Sequence, residues 1–251
     1  MKDAGKRMSR KISRALLEYE MLDPGDKVLV AVSGGKDSMT LLYHLLEKSG
    51  SFPVDFTVGA IHIQTDFCNC GKKSGMETMI NSWGAPYIEV KVPVIARLQP
   101  GKKMNCYWCS TQRRMELMKH ASENGYTKIA LGHHQDDILE TFFMNMAYKS
   151  ELSTMMPVLK YDKFPHTIIR PLALVKEREI VEFAEQKKIS NLVCLCPYGT
   201  RSKRRDMKKV VDFIAEGGDF MRDNIYRAMS HPVPTYLPGF KQAMKENGWS
   251  E

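Results

Sequence analysis

The sequence predicts an α/β fold: a five-stranded, mostly parallel sheet with helices on both faces and helical additions at both ends. Three observations carry that prediction. Apolar runs of strand length alternate five times with helix-periodic stretches, the pattern of right-handed βαβ units. The clearest run, residues 27–32, is apolar at consecutive positions and rich in valine, as a strand covered on both faces requires. Two of the runs lead straight into polar loops that contain glycine, residues 33–38 and 132–137, and open α/β sheets bind ligands where their strands end.

Each element follows from local signals. A helix is expected over 6–22, with Ile12, Ala15, Leu16, Tyr19 and Leu22 at helical spacing and Arg7, Arg10, Lys11 and Arg14 in a second, basic stripe. Asp23-Pro24-Gly25-Asp26 ends it. The strand at 27–32 and its loop lead into a helix at 39–48. A second strand, 55–63, runs into a loop bearing Cys68 and Cys70, then a helix at 75–83 and a third strand at 87–92. A helix at 107–124 is stopped by Asn124-Gly125, and a fourth strand at 128–131 follows. The fifth strand fits 167–170, with a helix at 176–187. From about 204 the chain reads as helical and strongly charged. There is no internal repeat and no low-complexity linker. The expected organisation is a basic N-terminal helix over 1–24, an α/β domain over 25–200, and a basic helical extension over 201–251.

Composition sets outer bounds. With 251 residues, 43% hydrophobic and 26% charged, the chain is globular rather than disordered. No window approaches the ~18 apolar residues of a membrane span, and the basic start has no apolar signal core after it. A cytoplasmic location without membrane association is expected. Lys plus Arg is 37 and Asp plus Glu is 29, a net charge of +8, which points to an acidic partner, nucleic acid foremost. Six cysteines fall in three close pairs, Cys68/Cys70, Cys106/Cys109 and Cys194/Cys196, and in a cytoplasmic chain they favour metal or redox chemistry over disulfides.

The loop Ser33-Gly34-Gly35-Lys36-Asp37-Ser38 carries the sharpest signal. Paired glycines let the backbone turn tightly, and the following helix N-terminus directs N–H groups and a positive dipole end at a ligand. Ser33 and Ser38 add hydroxyls and Lys36 a full charge, a set suited to a phosphate chain. It is not a Walker A loop, because GxxxxGK[ST] does not match. The loop Gly132-His133-His134-Gln135-Asp136-Asp137 should face the same crevice. There, Gly132 allows close backbone approach to a nucleotide, one acid caps the next helix, and the other is placed to hold Mg²⁺ against phosphate oxygens. One of the two histidines is expected to be structural.

Cys106-Tyr107-Trp108-Cys109 opens a helix, where thiolates are favoured for metal binding or attack on sulfur. Cys194 and Cys196 offer a third and a fourth ligand. Four thiolates would close a zinc site; three would leave an open position on an iron–sulfur cluster. Tyr107 and Trp108 are expected to pack in the core. A second basic cluster, Arg201, Lys203, Arg204, Arg205, Lys208 and Lys209, follows the last cysteine pair. Phosphate contacts through it would give salt-sensitive RNA affinity.

In order, the chain reads AVSGGKDS, CYWCSTQRR, ALGHHQDD, IIRPLA and LCPYGTRSKRR. SGGKDS after an apolar strand looks like the PP-loop of ATP pyrophosphatases, which cleave ATP between its α and β phosphates. The whole series resembles the tRNA 2-thiocytidine synthetase family over roughly residues 5–240. That resemblance implies an enzyme that replaces the 2-oxygen of an anticodon-loop cytidine, tRNA position 32, with sulfur, using ATP, Mg²⁺ and a [4Fe–4S] cluster. It implies Ala31, Ser33, Gly34, Gly35, Lys36, Asp37, Ser38, Gly132 and His133 at the nucleotide, with Lys36, Asp37 and Asp137 as the catalytic groups. Cys106, Cys109 and Cys196 match the cluster ligands. The RNA would lie on Arg7, Arg10, Lys11, Arg14, Arg201, Arg204 and Arg205. A sulfur donor such as a cysteine desulfurase is implied, and a homodimer is compatible.

Three departures stand out. Gln64 ends the second strand where the family commonly has an acid. Cys68-Asn69-Cys70 is outside the family pattern and is expected at the catalytic edge, where one thiol would relay sulfur or guard the cluster, the rivals being a separate zinc site and no function. Third, the sequence shows neither a long basic tail nor a zinc finger, which argues against the related 2-thiouridine enzymes that carry such fingers. The rival readings are a PP-loop ligase with a nitrogen nucleophile, a thiolase acting on another nucleoside or small molecule, and a zinc-stabilised RNA-binding protein, which would leave SGGKDS unexplained.

Overall fold

Strand β1 (Asp26–Ala31) forms the centre of a six-stranded sheet of order β3-β2-β1-β4-β6-β5 in the computed structural model, which describes residues 4–67, 74–161, 164–189 and 203–239. Its neighbours β2 (Phe56–Thr65) and β4 (Lys128–Ala130) are both parallel to it. So are β3 (Tyr87–Val92) beside β2 and β6 (Thr167–Ile169) beside β4.

Side-chain alternation divides the core in two. Val28, Val30 and Val32 share one cluster with Val58, Ala60, Ala130 and Ile169, covered by helices α1 (Ala4–Glu18), α2 (Lys36–Ser49), α3 (Ser74–Ser82) and α6 (Glu177–Gln186). Leu29, Ile61, Ile63, Ile129 and Ile168 point the other way and meet Leu117, Met118 and Ala121 of α4 (Cys106–Glu123). The consecutive apolar residues of β1 are thus explained by burial on both faces. Helix α1 is part of the larger core, with Met8, Ile12, Ala15 and Leu16 buried.

The sheet departs from the expected one at its edge. A sixth strand, β5 (Val158–Lys160), pairs antiparallel with β6. It is three residues long and half-exposed, so it has no long apolar run to announce it. Strand β2 also runs two residues further than expected, so Gln64 lies inside the strand. Helix α5 (Gln135–Lys149) follows β4, and α7 (Lys203–Ala215) and α8 (Phe220–Ala228) pack along it. Among the described residues, no helix is long and apolar enough to cross a membrane.

Candidate active site

Strand order reverses direction at β1: the chain moves outward to β2 and β3, then crosses back to β4 on the other side. The loops after β1 and β4 therefore face one crevice at the carboxyl edge, as a topological switch point requires. The two loops touch. A Cβ on Gly132 would stand 3.0 Å from the backbone N and Cα of Ser38 and 3.1 Å from the carbonyl carbon of Asp37. The close approach expected of Gly132 is thus made to the first turn of α2, locking the two loops together.

Within the first loop, Gly34 adopts φ 83°, which an L side chain rarely tolerates. Gly35 is the N-cap of α2, so no side chain caps that helix. The hydroxyls fold inward. Ser38 Oγ accepts from Ser33 N at 3.0 Å, Ser33 Oγ accepts from Gly35 N at 3.2 Å, and the two hydroxyls lie 3.1 Å apart. Below them, buried His62 donates from Nδ1 to the carbonyl of Val32 at 2.8 Å and steadies the end of the strand. The sequence reading missed His62, which carries no local signal.

The second loop divides its labour among His134, Asp136 and Asp137. His134 is the N-cap of α5: its Nδ1 accepts from Asp137 N, while Asp137 Oδ2 accepts from His134 N at 3.0 Å. His134 is the structural histidine and Asp137 the capping acid. Asp136 is buried and reaches outward, accepting from Glu177 N at 2.7 Å and from Arg222 Nε at 3.1 Å. Asp37, Asp136 and Asp137 surround the His134 ring at 3.9, 3.8 and 3.5 Å. Arg170, at the end of β6, donates from Nε to His133 Nδ1 at 3.3 Å and from Nη1 to the carbonyl of Met156.

Lys36 lies 3.0 Å from Asp37 Oδ1 and donates to Glu177 Oε1 at 3.1 Å. Burial disfavours its ammonium, but Asp37 and Glu177 outweigh that and hold its pKa above the ordinary lysine value. Burial would likewise raise the Glu177 carboxyl. Hydrogen bonds from Lys208 and Lys36 prevail and bring it down to about 2. Asp37 Oδ1 is buried and accepts no aligned hydrogen bond, a donor atom suited to a hard cation. The described residues contain no preformed cluster of three metal-ligating side chains, so a cation here would draw ligands from its nucleotide and water.

Helix α4 runs from the carboxyl edge of the sheet back toward the start of β4, which places its N-terminus at the catalytic edge. Asn105 caps it by accepting from Trp108 N at 2.9 Å. Cys106 is exposed and Cys109 half-buried, three residues apart on one turn. Two thiols so placed fit a thiolate-held cluster, whose remaining ligand must come from elsewhere. Cys196, Cys194, Cys68, Cys70 and Arg201 lie outside the described residues, as do the side chains of Arg204 and Arg205. Trp108 packs as expected and donates from Nε1 to the Val94 carbonyl at 2.9 Å. Tyr107 does not pack: it is 82% exposed, because N2 of this helix faces away from the sheet. Gln64 presents a buried Oε1 without a hydrogen-bond donor.

The basic stripe of α1 is divided. Arg7 pairs with Glu182 at 2.9 Å and Lys11 with Glu179 at 2.6 Å, both on α6. Arg10 and Arg14 remain exposed, Arg14 beside Glu18 at 2.8 Å. Lys208 of α7 also turns inward, to Glu177 at 2.7 Å.

Residues 6–193 match the family model described as the PP-loop domain. The chain is 37% identical over 240 residues to a tRNA-cytidine(32) 2-sulfurtransferase of Xanthomonas oryzae, covering 93% of this chain and 77% of that one. It is 36% identical over 241 residues to the protein of the same name from Bordetella petrii, covering 92% and 72%. Among solved structures, the U34-tRNA thiolase NcsA of Methanococcus maripaludis, determined with its [4Fe-4S] cluster, superposes with a TM-score of 0.72 at 24% identity, over 93% of this chain and 80% of that chain. The NMN synthetase of Francisella tularensis shares the fold at a TM-score of 0.53 and 13% identity, over 91% and 93%.

Proposed function

The chain belongs to the tRNA-cytidine(32) 2-sulfurtransferase family of PP-loop proteins, and we propose that it replaces the 2-oxygen of anticodon-loop cytidine 32 with sulfur through an adenylated intermediate. The observation that carries this reading is the meeting of the two loops at the switch point, Gly132 against the first turn of α2, on the edge that also holds the N-terminal cysteines of α4.

The cytosine 2-oxygen leaves poorly. Its attack on the α-phosphorus of ATP breaks the α–β phosphoanhydride bond, releases pyrophosphate and joins the oxygen to AMP. Sulfur then adds at C2 and AMP departs with the oxygen. Lys36 and the uncapped amides of α2 neutralise the leaving pyrophosphate where negative charge grows. Asp37 would hold Mg²⁺ entering on the phosphates through its buried Oδ1, beside Asp137, whose Oδ2 is engaged in capping α5. Ala31, Ser33, Gly34, Gly35, Ser38, Gly132 and His133 line the nucleotide, and Arg170 orients the His133 ring. Cys106, Cys109 and Cys196 would hold a [4Fe–4S] cluster, which when bound supplies an activated sulfur. Exposed Tyr107, beside Cys106, offers a stacking face to an unstacked base.

Arg10 and Arg14 would meet the tRNA backbone, together with Arg201, Arg204 and Arg205. Arg7 and Lys11 instead fasten α1 to α6. Residues 25–200 would form the catalytic unit, flanked by the basic helix of 1–24 and the extension of 201–251. A cysteine desulfurase would feed sulfur to the enzyme in the cytoplasm.

Protein purified without oxygen is expected to carry about four iron and four sulfide per chain, lost on Cys106→Ala. Stoichiometric zinc without iron would sink the cluster assignment. Nucleoside mass spectrometry of a deletion strain reads the substrate: 2-thiocytidine should vanish, and undiminished 2-thiocytidine would reject it.

A further inference from the structure

Glu177 is the first residue of α6, and its carboxylate bridges two ammonium groups from distant parts of the chain. Oε1 accepts from Lys36 of the phosphate loop at 3.1 Å, and Oε2 accepts from Lys208 of α7 at 2.7 Å. The carboxylate is anchored from behind, because its own backbone N–H donates to buried Asp136. All three side chains keep partial access to solvent: Lys36 is 22% exposed, Glu177 30% and Lys208 45%. Lys208 has one further neighbour on its own helix, Asp212 at 3.8 Å.

We propose that Lys208 is a second ammonium ligand for the pyrophosphate portion of the nucleotide, and that Glu177 holds the place of that anion until it arrives. The inference rests on the reading that the phosphate loop takes the pyrophosphate end of ATP. Lys36 is already committed to that end, and Lys208 stands across the same carboxylate from it. A phosphoryl group, like a carboxylate, presents two anionic oxygens to adjacent donors, and it carries more charge. The incoming anion therefore exchanges with Glu177 on both lysines. Until then the carboxylate balances the charge of both partly exposed lysines, alongside Asp37 at Lys36 and Asp212 at Lys208. It also draws α7 onto the phosphate loop, so a helix outside the α/β unit completes the site.

Titration calorimetry with inorganic pyrophosphate in Mg²⁺ buffer tests this on the full chain. Lys208→Ala should weaken pyrophosphate binding roughly tenfold, the scale of one lost charge-assisted hydrogen bond. Lys208→Arg should stay within about threefold of the parent, since it keeps the charge. Glu177→Gln should tighten binding several-fold by removing the competing anion. Lys119→Ala, on an exposed face of α4, controls for net charge. Binding by Lys208→Ala within twofold of the parent, or weaker binding by Glu177→Gln, would overturn the proposal and leave Lys208 as a tether of α7. If Lys208→Ala does not fold, the Arg and Gln variants decide. Lys36→Ala separates the two readings: undiminished pyrophosphate binding there would refute the phosphate-loop assignment itself, whatever Lys208 does.

Discussion

The phosphate crevice and the cysteine-bearing turn of α4 stand at the same edge of the sheet and are built in opposite ways. In the crevice, Gly132 is pressed on the backbone of α2, Asp136 ties α5 to α6 and α8, and Glu177 joins two lysines. At α4, Cys106 and Tyr107 are exposed and the helix is steadied from beneath by the Asn105 cap and the Trp108 hydrogen bond. Under the proposed function, the difference follows from what each would bind. A polyphosphate needs charges held in place before it arrives, since reorganising them would cost transition-state stabilisation. Thiols that act on a polymer need access for a base and its backbone, which burial would deny.

If that contrast is right, the two regions should fail differently. The largest effect is expected from Cys106→Ala and Lys36→Ala, both of which should take tRNA thiolation below detection. Cys106→Ala should leave pyrophosphate binding and the thermal midpoint near those of the parent, whereas Lys36→Ala should lose the binding. Equal loss of pyrophosphate binding in both would erase the distinction.

The next effect concerns the support of α2. His44 is buried against Phe183 and Tyr43, and burial, reinforced by Lys48 and Lys187, brings its pKa down to about 4. The unfolded chain binds this proton at about 6.5 and the folded one only near 4, so stability is full above 6.5 and falls as pH drops toward 4. The loss by pH 4 is on the order of 3 kcal/mol. Urea unfolding of His44→Phe should show a flatter pH dependence in that window than the parent; an unchanged slope would contradict the assignment.

Gly132→Ala comes third. Its new methyl would meet backbone, which cannot step aside as a side chain can. A cost of about 1–3 kcal/mol is expected, with a raised KM for ATP. A variant with parental stability and KM would show that the loops are not interlocked. The smallest stability effect belongs to Tyr107→Ala, within about 0.5 kcal/mol of the parent, because an exposed side chain loses little packing. Its tRNA affinity should fall instead, measured by filter binding.

The sheet was legible where its signals were local. The apolar run of β1, the Gly34-Gly35 turn and the Gly132 loop announce themselves in consecutive residues, and strand ends in an α/β sheet collect at one edge. The short strand β5 was not legible, because a half-exposed edge strand needs no apolar run. Charge was least legible. Arg7, Lys11 and Lys208 read as an RNA-facing surface, yet each turns to a glutamate of α6, since a helical charge pattern does not say which element lies opposite.

By itself, the sequence determined the α/β class, the phosphate loop, the paired histidine–aspartate loop and the cysteine turn, because each is a short-range pattern of backbone freedom, charge and hydropathy. Only the tertiary structure decided that Gly132 serves α2, that Asp137 caps while Asp136 bridges, and that Glu177 unites Lys36 with Lys208 across 141 and 31 residues of chain. These roles depend on which distant groups meet once the core has closed, and no local pattern records such a meeting.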